Sequence, residues 1–80
     1  MSMDLNRIAG VALRKAVSHF VEQEATPAVC RRIKRAFVQI MRDDYGINWG
    51  RYAHQITVSF IDGNKPNAHI PPHLLKRALH

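Results

Sequence analysis

Apolar residues recur at helical spacing in the first quarter of the chain. From about Leu5 to Glu24 they follow one another at intervals of three and four residues, as on the buried side of a helix: Leu5, Ile8, Ala9, Ala12, Leu13, Ala16, Val17 and Phe20. Asp4 is a suitable N-cap, because its carboxylate can accept hydrogen bonds from the first free amides. The pattern predicts an amphipathic core-packing helix, in which Gly10 leaves room for a close helix contact.

A second helix is predicted over residues 27–45. Thr26 is a good N-cap, and Pro27 at the first helical position loses no needed hydrogen bond. Gly46 supplies a left-handed residue after Tyr45. One side of this helix is apolar, with Val29, Cys30, Ile33, Ala36, Phe37, Ile40 and Met41, and we expect Cys30 to be a buried free thiol. The opposite side carries Arg31, Arg35 and Arg42, flanked by Arg32 and Lys34.

The remaining residues predict a hairpin and a short helix. Residues 46–54 have the composition of a loop, 55–61 alternate as a half-buried strand does, and 67–70 can form its partner. Residues 62–66 carry turn chemistry, and Pro72 can open a last helix with Leu74, Leu75, Ala78 and Leu79. The predicted fold is one α+β domain over residues 1–80, with two amphipathic helices packed on a β-hairpin and a short C-terminal helix (ααββα). Because a two-stranded hairpin is marginal alone, it must pack on the helices or gain strands from a second copy, and a homodimer is therefore an open expectation.

Composition narrows the class of protein. The chain has 80 residues and a formal net charge of +6, with 46% hydrophobic residues and a single cysteine. That apolar content suits a small folded core, while one cysteine excludes an internal disulfide framework and a multi-thiolate zinc site. No apolar run approaches the length of a membrane span, and the first residues lack the order of a secretory signal. These features predict a basic cytoplasmic domain.

The basic side of the second helix is the sharpest candidate binding surface. Guanidinium groups bind phosphate and carboxylate, so this side suits a nucleic-acid backbone or an acidic protein surface; a solvated exterior is the plain alternative. Trp49 is flanked by glycines and, with Arg51 and Tyr52, suits a loop that contacts a partner. Burial of both aromatic rings in the core is the ordinary structural alternative. The candidate partner-binding residues are Arg31, Arg32, Lys34, Arg35, Arg42, Trp49, Arg51 and Tyr52.

Catalytic and metal chemistry find little support in the sequence. No phosphate-binding glycine loop, nucleophile elbow or Walker motif is present, and we expect no enzyme, cofactor or metal site. His54, His69 and His73 have no cysteine or carboxylate at ligand spacing. A small ribonuclease toxin, with His54 or His69 as acid and base and Arg51 at the phosphorane, is a distant third hypothesis. A transcriptional regulator using the basic helix is the first alternative, although residues 23–25 lack the glycine of a helix-turn-helix turn.

The chain resembles the small accessory proteins of phages and mobile elements, including anti-CRISPR proteins. The resemblance lies in its size, its α+β layout, the absence of a catalytic motif and a surface dominated by one sign of charge. Many of those are acidic mimics of nucleic acid, from which Arg31, Arg32, Lys34 and Arg35 depart. The resemblance implies a non-enzymatic inhibitor in the host cytoplasm, whose basic face grips acidic protein or bound nucleic acid on a nucleoprotein complex. Such docking would block the access of that complex to nucleic acid.

Overall fold

The computed structural model describes residues 4–20, 24–61 and 65–77. Helix α1 (Leu5–Val17) is followed by a 3₁₀ turn, η1 (Ser18–Phe20), and by the long helix α2 (Pro27–Tyr45). A second 3₁₀ segment, η2 (Gly50–Gln55), leads into strands β1 (Thr57–Ile61) and β2 (Lys65–His69), and helix α3 (Pro72–Arg77) comes last. This order of helices and hairpin confirms the predicted α+β fold.

Helix α1 begins as predicted and ends early. The carboxylate of Asp4 accepts hydrogen bonds from the backbone amides of Asn6 and Arg7, at 3.1 and 3.4 Å. The helix stops at Val17 instead of Glu24, since the chain tightens into η1 and the hydroxyl of Ser18 donates to the carbonyl of Lys15 at 2.6 Å. Residues 21–23 of the predicted helix lie outside the described residues. The expected close contact at Gly10 was wrong, because a Cβ built there would meet nothing within 4 Å.

Helix α2 has the predicted bounds at both ends. Thr26 Oγ1 accepts a hydrogen bond from the amide of Val29 at 3.2 Å, and Pro27 occupies the first turn. At the other end Gly46 adopts a left-handed conformation with φ 69°, and its amide donates to the carbonyl of Arg42 at 3.1 Å. Both ends are therefore fixed by local backbone and capping chemistry.

The hairpin is antiparallel and shifted slightly from its predicted limits. Thr57 lies opposite His69 and Ile61 opposite Lys65. β1 starts two residues later than predicted because Gln55 still belongs to η2, and β2 starts at Lys65, so that it includes Pro66. Proline is tolerated there since each strand of a two-stranded sheet has an edge that needs no amide donor. Residues 62–64 of the predicted turn lie outside the described part of the chain.

The core lies between the two long helices and the hairpin. β1 packs on α2 and β2 packs on α1. The hairpin is therefore stabilised by the helices of its own chain. The predicted alternation is confirmed from Ile56 to Val58, where Ile56 and Val58 are buried and Thr57 is exposed. It fades after Val58, because Ser59 and Phe60 are both half-buried. The largest fully buried side chains are Phe37, Ile33, Met41, Ile56 and Leu74. Among the described residues, no helix is long and apolar enough to cross a bilayer.

Candidate binding groove

Four of the five predicted cations of α2 line one groove. Lys34 and Arg35 follow Arg31 by three and four residues, and Arg42 follows Arg35 by seven, which places all four on one stripe of the helix. Val38 and Gln39 lie within the same stripe, between the second and last arginines. The predicted clustering of basic residues on the outer side of α2 is therefore confirmed for these four.

The opposite wall of the groove comes from η2 and the residues before it. Asn48, Gly50 and Ala53 form this wall, and the space enclosed with α2 is about 400 Å³. The side chain of Asn48 is used locally, because its Oδ1 accepts a hydrogen bond from the amide of Gly50 at 3.0 Å. Glycine and alanine leave the wall low and the groove open. We call this feature the α2–η2 groove.

The floor of the α2–η2 groove is partly apolar. Val38 of α2 is half-buried and forms this apolar surface, and the half-buried Ala53 of the opposite wall borders it. Lys34 is also half-buried, which indicates that its aliphatic stem covers apolar surface while its ammonium remains hydrated. The groove therefore combines an apolar floor with a cationic rim.

Positive charge in the N-terminal part of this stripe is not compensated. Among the described residues, Arg31, Lys34 and Arg35 make no ion pair. Arg42 differs from them, since its Nε lies 3.4 Å from Oδ1 of the neighbouring Asp43. The field of the groove is consequently strongest at Arg31, Lys34 and Arg35.

The two aspartates at the end of α2 face an unfavourable helix dipole and are held by other contacts. Lys15 Nζ of α1 lies 2.8 Å from Asp44 Oδ2, and Gln39 Nε2 donates to Asp43 Oδ2 at 2.7 Å. The hydrogen bond and the charge of Asp44 raise the pKa of Lys15 above its ordinary value. The hydrogen bond from Gln39, assisted by the nearby Arg42, lowers the pKa of Asp43. These contacts hold both carboxylates at the negative end of the helix.

A second, smaller groove adjoins the first along α2. It encloses about 260 Å³ between the start of α2 and β1, and Arg31 and Lys34 line both grooves. His54 adds an exposed imidazole to its rim. Cys30 also lines it and is half-buried, so the expected full burial of this thiol was wrong. The two grooves share a basic ridge.

Arg32 lies apart from this arrangement. It is exposed on α2 and lines neither groove. The predicted set of partner-binding cations on α2 is thus divided by the fold.

Of the two interpretations of Trp49, burial is confirmed and the exposed contact residue was wrong. Its side chain is only 3% exposed and packs on Phe37 of α2, because the chain reverses after the left-handed Gly46 and lays the indole on the core. Tyr52 is half-buried, with its ring edge-on to His73 at 6.4 Å. Arg51 is exposed on η2. The sequence pattern assigned the contact role to this loop. It did not identify Val38, Asn48, Gly50 and Ala53 as residues that line the groove, because no periodic signal distinguishes them.

The histidines are distributed over several elements. His54 lies on η2, His69 at the end of β2 and His73 in α3. His54 adjoins Arg31 and Lys34, whereas Arg51 and His69 line neither of these two grooves. In the part of the chain that the structure describes, no three His, Cys, Asp or Glu side chains are grouped so as to hold a metal ion. The ribonuclease hypothesis stays a prediction.

Comparisons with protein-family models, with curated proteins and with solved structures give no match to this chain.

Proposed function

We propose that this protein is a non-enzymatic binding domain whose α2–η2 groove binds an acidic segment of a partner protein. The observation that carries the proposal is the charge of Arg31, Lys34 and Arg35, which make no ion pair with any residue that the structure describes. The three lie within five consecutive residues of one helix face and line one groove. Arginine forms bidentate hydrogen bonds with carboxylates, and like charges brought this close repel one another. An acidic ligand would relieve that repulsion.

The shape of the site favours protein over nucleic acid as the ligand. A helix that enters the major groove of DNA must project from the surface, whereas the stripe of α2 faces a concavity walled by Asn48, Gly50 and Ala53. Sites for single strands usually offer aromatic rings on which bases stack. Among the residues that the structure describes, no aromatic side chain lines the α2–η2 groove, and the indole of Trp49 is buried in the core.

The biological setting of this binding stays a prediction. The resemblance to anti-CRISPR proteins suggests that the acidic segment belongs to a nucleoprotein complex, whose access to nucleic acid the bound domain would block. A transcriptional regulator that uses the same helix, a homodimer and a cytoplasmic location are likewise predictions. The inhibitor and the regulator both require that the basic stripe of α2 be available to a partner.

Charge reversal within the groove tests the proposal. The probe is an immobilised glutamate-rich peptide, and the variant carries both Arg31→Glu and Arg35→Glu. The matched control carries Arg7→Glu and Arg32→Glu, which change the net charge equally at exposed positions that do not line the groove. We expect the groove variant to bind about tenfold or more weakly and the control to bind almost as the parent does.

Two results would count against this function. Equal weakening in both variants would show that the peptide responds to net charge and not to the groove. Tight, steeply salt-dependent binding of labelled DNA or RNA, lost in the groove variant, would assign the site to nucleic acid and favour the regulator. Circular dichroism spectra identical to the parent's establish that each variant is folded.

A further inference from the structure

The α2–η2 groove contains an apolar floor that charge alone does not explain. We infer that the acidic segment carries one apolar side chain, which inserts between Val38 and Ala53 while acidic residues on either side of it pair with Arg35 and Arg42. This inference rests on the proposed function and adds the sequence class that the groove selects. The occupant is an extended peptide segment with an apolar anchor between carboxylates.

The order of residues along α2 supports this arrangement. Val38 comes three residues after Arg35 and four residues before Arg42, and all three line the groove. At a helical rise of about 1.5 Å per residue, the backbone positions of the two arginines lie about 4.5 and 6 Å from that of the valine along the axis. An apolar site therefore lies between two cations, at distances similar to those between nearby residues of a bound peptide.

An extended segment matches these intervals. Its residues advance by about 3.3 Å, and alternate side chains point to the same face, so neighbours on one face are about 6.6 Å apart. With an apolar residue over Val38, the residues two positions before and after it would reach Arg35 and Arg42. Arg31 and Lys34 lie further along the same stripe and would pair with additional carboxylates.

The volume and the wall of the groove fit an inserted side chain. A volume of about 400 Å³ falls within the range of about 300–1,000 Å³ found for ligand pockets and is more than surface ion pairs require. The wall is low where the anchor would enter, because Gly50 and Ala53 contribute no long side chain. A flat charged face would bind any polyanion, whereas this groove can distinguish acidic sequences by the residue between their carboxylates.

The experiment compares two peptides of equal length and charge. Glu-Glu-Leu-Glu-Glu and Glu-Glu-Ser-Glu-Glu, both with blocked ends, are titrated into the ¹⁵N-labelled protein and followed by amide chemical shifts. We expect the leucine peptide to bind about fivefold more tightly, because its side chain loses part of its contact with water. We also expect its largest shifts at Val38, Gly50 and Ala53.

Two variants isolate the groove from its charges. Ala53→Leu fills the space, and its matched control is Ala28→Leu, at an exposed position of α2 that does not line the groove. Val38→Thr keeps the shape of the floor and makes it polar. It provides the test if Ala53→Leu does not fold. We expect Ala53→Leu and Val38→Thr to remove the advantage of the leucine peptide, and Ala28→Leu to preserve it.

The outcomes separate this inference from the proposed function. Equal affinity for both peptides, with both weakened by Arg31→Glu and Arg35→Glu, would overturn the apolar anchor and leave acidic binding intact. Peptide binding unchanged by that charge reversal would overturn the proposed function itself. Tighter binding of an oligothymidylate than of either peptide, lost in Ala53→Leu, would overturn the inference and assign the groove to single-stranded nucleic acid.

Discussion

The indole ring of Trp49 lies 6.1 Å from the phenyl ring of Phe37, centroid to centroid, with 51° between the two planes. Phe37 is fully buried on the inner side of α2, and Trp49 directly precedes η2. This contact therefore fixes where η2 begins relative to α2. Since Gly50 and Ala53 of η2 form the far wall of the α2–η2 groove, the aromatic pair in the core also shapes the surface above it.

Replacement of Trp49 by alanine should destabilise the fold strongly. Loss of a buried large aromatic side chain costs about 3–5 kcal/mol, and a core of this size supplies a similar total. We expect Trp49→Ala to be largely unfolded and Trp49→Phe to remain folded with a lower urea midpoint, both measured by circular dichroism. Arg51→Ala, at an exposed neighbour, should unfold like the parent. A stable Trp49→Ala that merely loses its partner would restore the contact role of the indole.

The limits of α2 were predictable because several local signals agree on them. Thr26, Pro27 and Gly46 each act within one turn of the helix end, and their effects do not depend on the rest of the fold. The basic stripe was predictable for the same reason, since side-chain direction on a helix follows from spacing alone. Arg32 shows the limit of this reasoning, because helix geometry does not reveal which part of the outer face a neighbouring element will border.

The groove itself was not predictable from local patterns. Its far wall is a 3₁₀ segment, and residues 50–55 have neither helical nor alternating apolar spacing. The sequence left two interpretations of Trp49 open, because flanking glycines indicate an adaptable contact loop, whereas its burial depends on a tertiary contact with Phe37. A large aromatic residue next to a helix stop can instead cover the end of the core, and this is the signal that was available for Trp49.

Two glycines in different settings should respond oppositely to alanine. Gly46 has φ 69°, a conformation that costs an L-residue about 1–2 kcal/mol, so Gly46→Ala should lower the free energy of unfolding. Gly10 lies in the interior of α1 with nothing within 4 Å of a built Cβ, so Gly10→Ala should raise it by about 1 kcal/mol. Urea denaturation of both variants measures the difference. Destabilisation by Gly10→Ala would show that α1 needs a close approach at that position.

The link between Lys15 and Asp44 should be visible in the dependence of stability on pH. Because the folded state raises the pKa of Lys15 above 10.5, the stabilisation is fully present below that value and is lost as the pH rises through the raised pKa. We expect Lys15→Met to be slightly less stable than the parent at neutral pH and to match it at a pH above the raised pKa. The difference should be small and should shrink in high salt, since both side chains are exposed. A difference that persists in strong alkali would indicate lost packing and not lost charge.

Asp43 should limit the affinity of the groove for acidic ligands. Its carboxylate lies 3.4 Å from the guanidinium of Arg42, so a bound carboxylate must compete with it and also meets its negative charge. We expect Asp43→Asn to strengthen binding of the Glu-Glu-Leu-Glu-Glu peptide by about two- to threefold, because like-charge repulsion at a binding site opposes association. Asp4→Asn is the matched control, since it makes the same change in net charge at the N-cap of α1, where asparagine caps equally well. Equal strengthening in both variants would mean that the peptide senses only the overall charge of the protein, whereas no change in Asp43→Asn would show that Arg42 takes no part in binding.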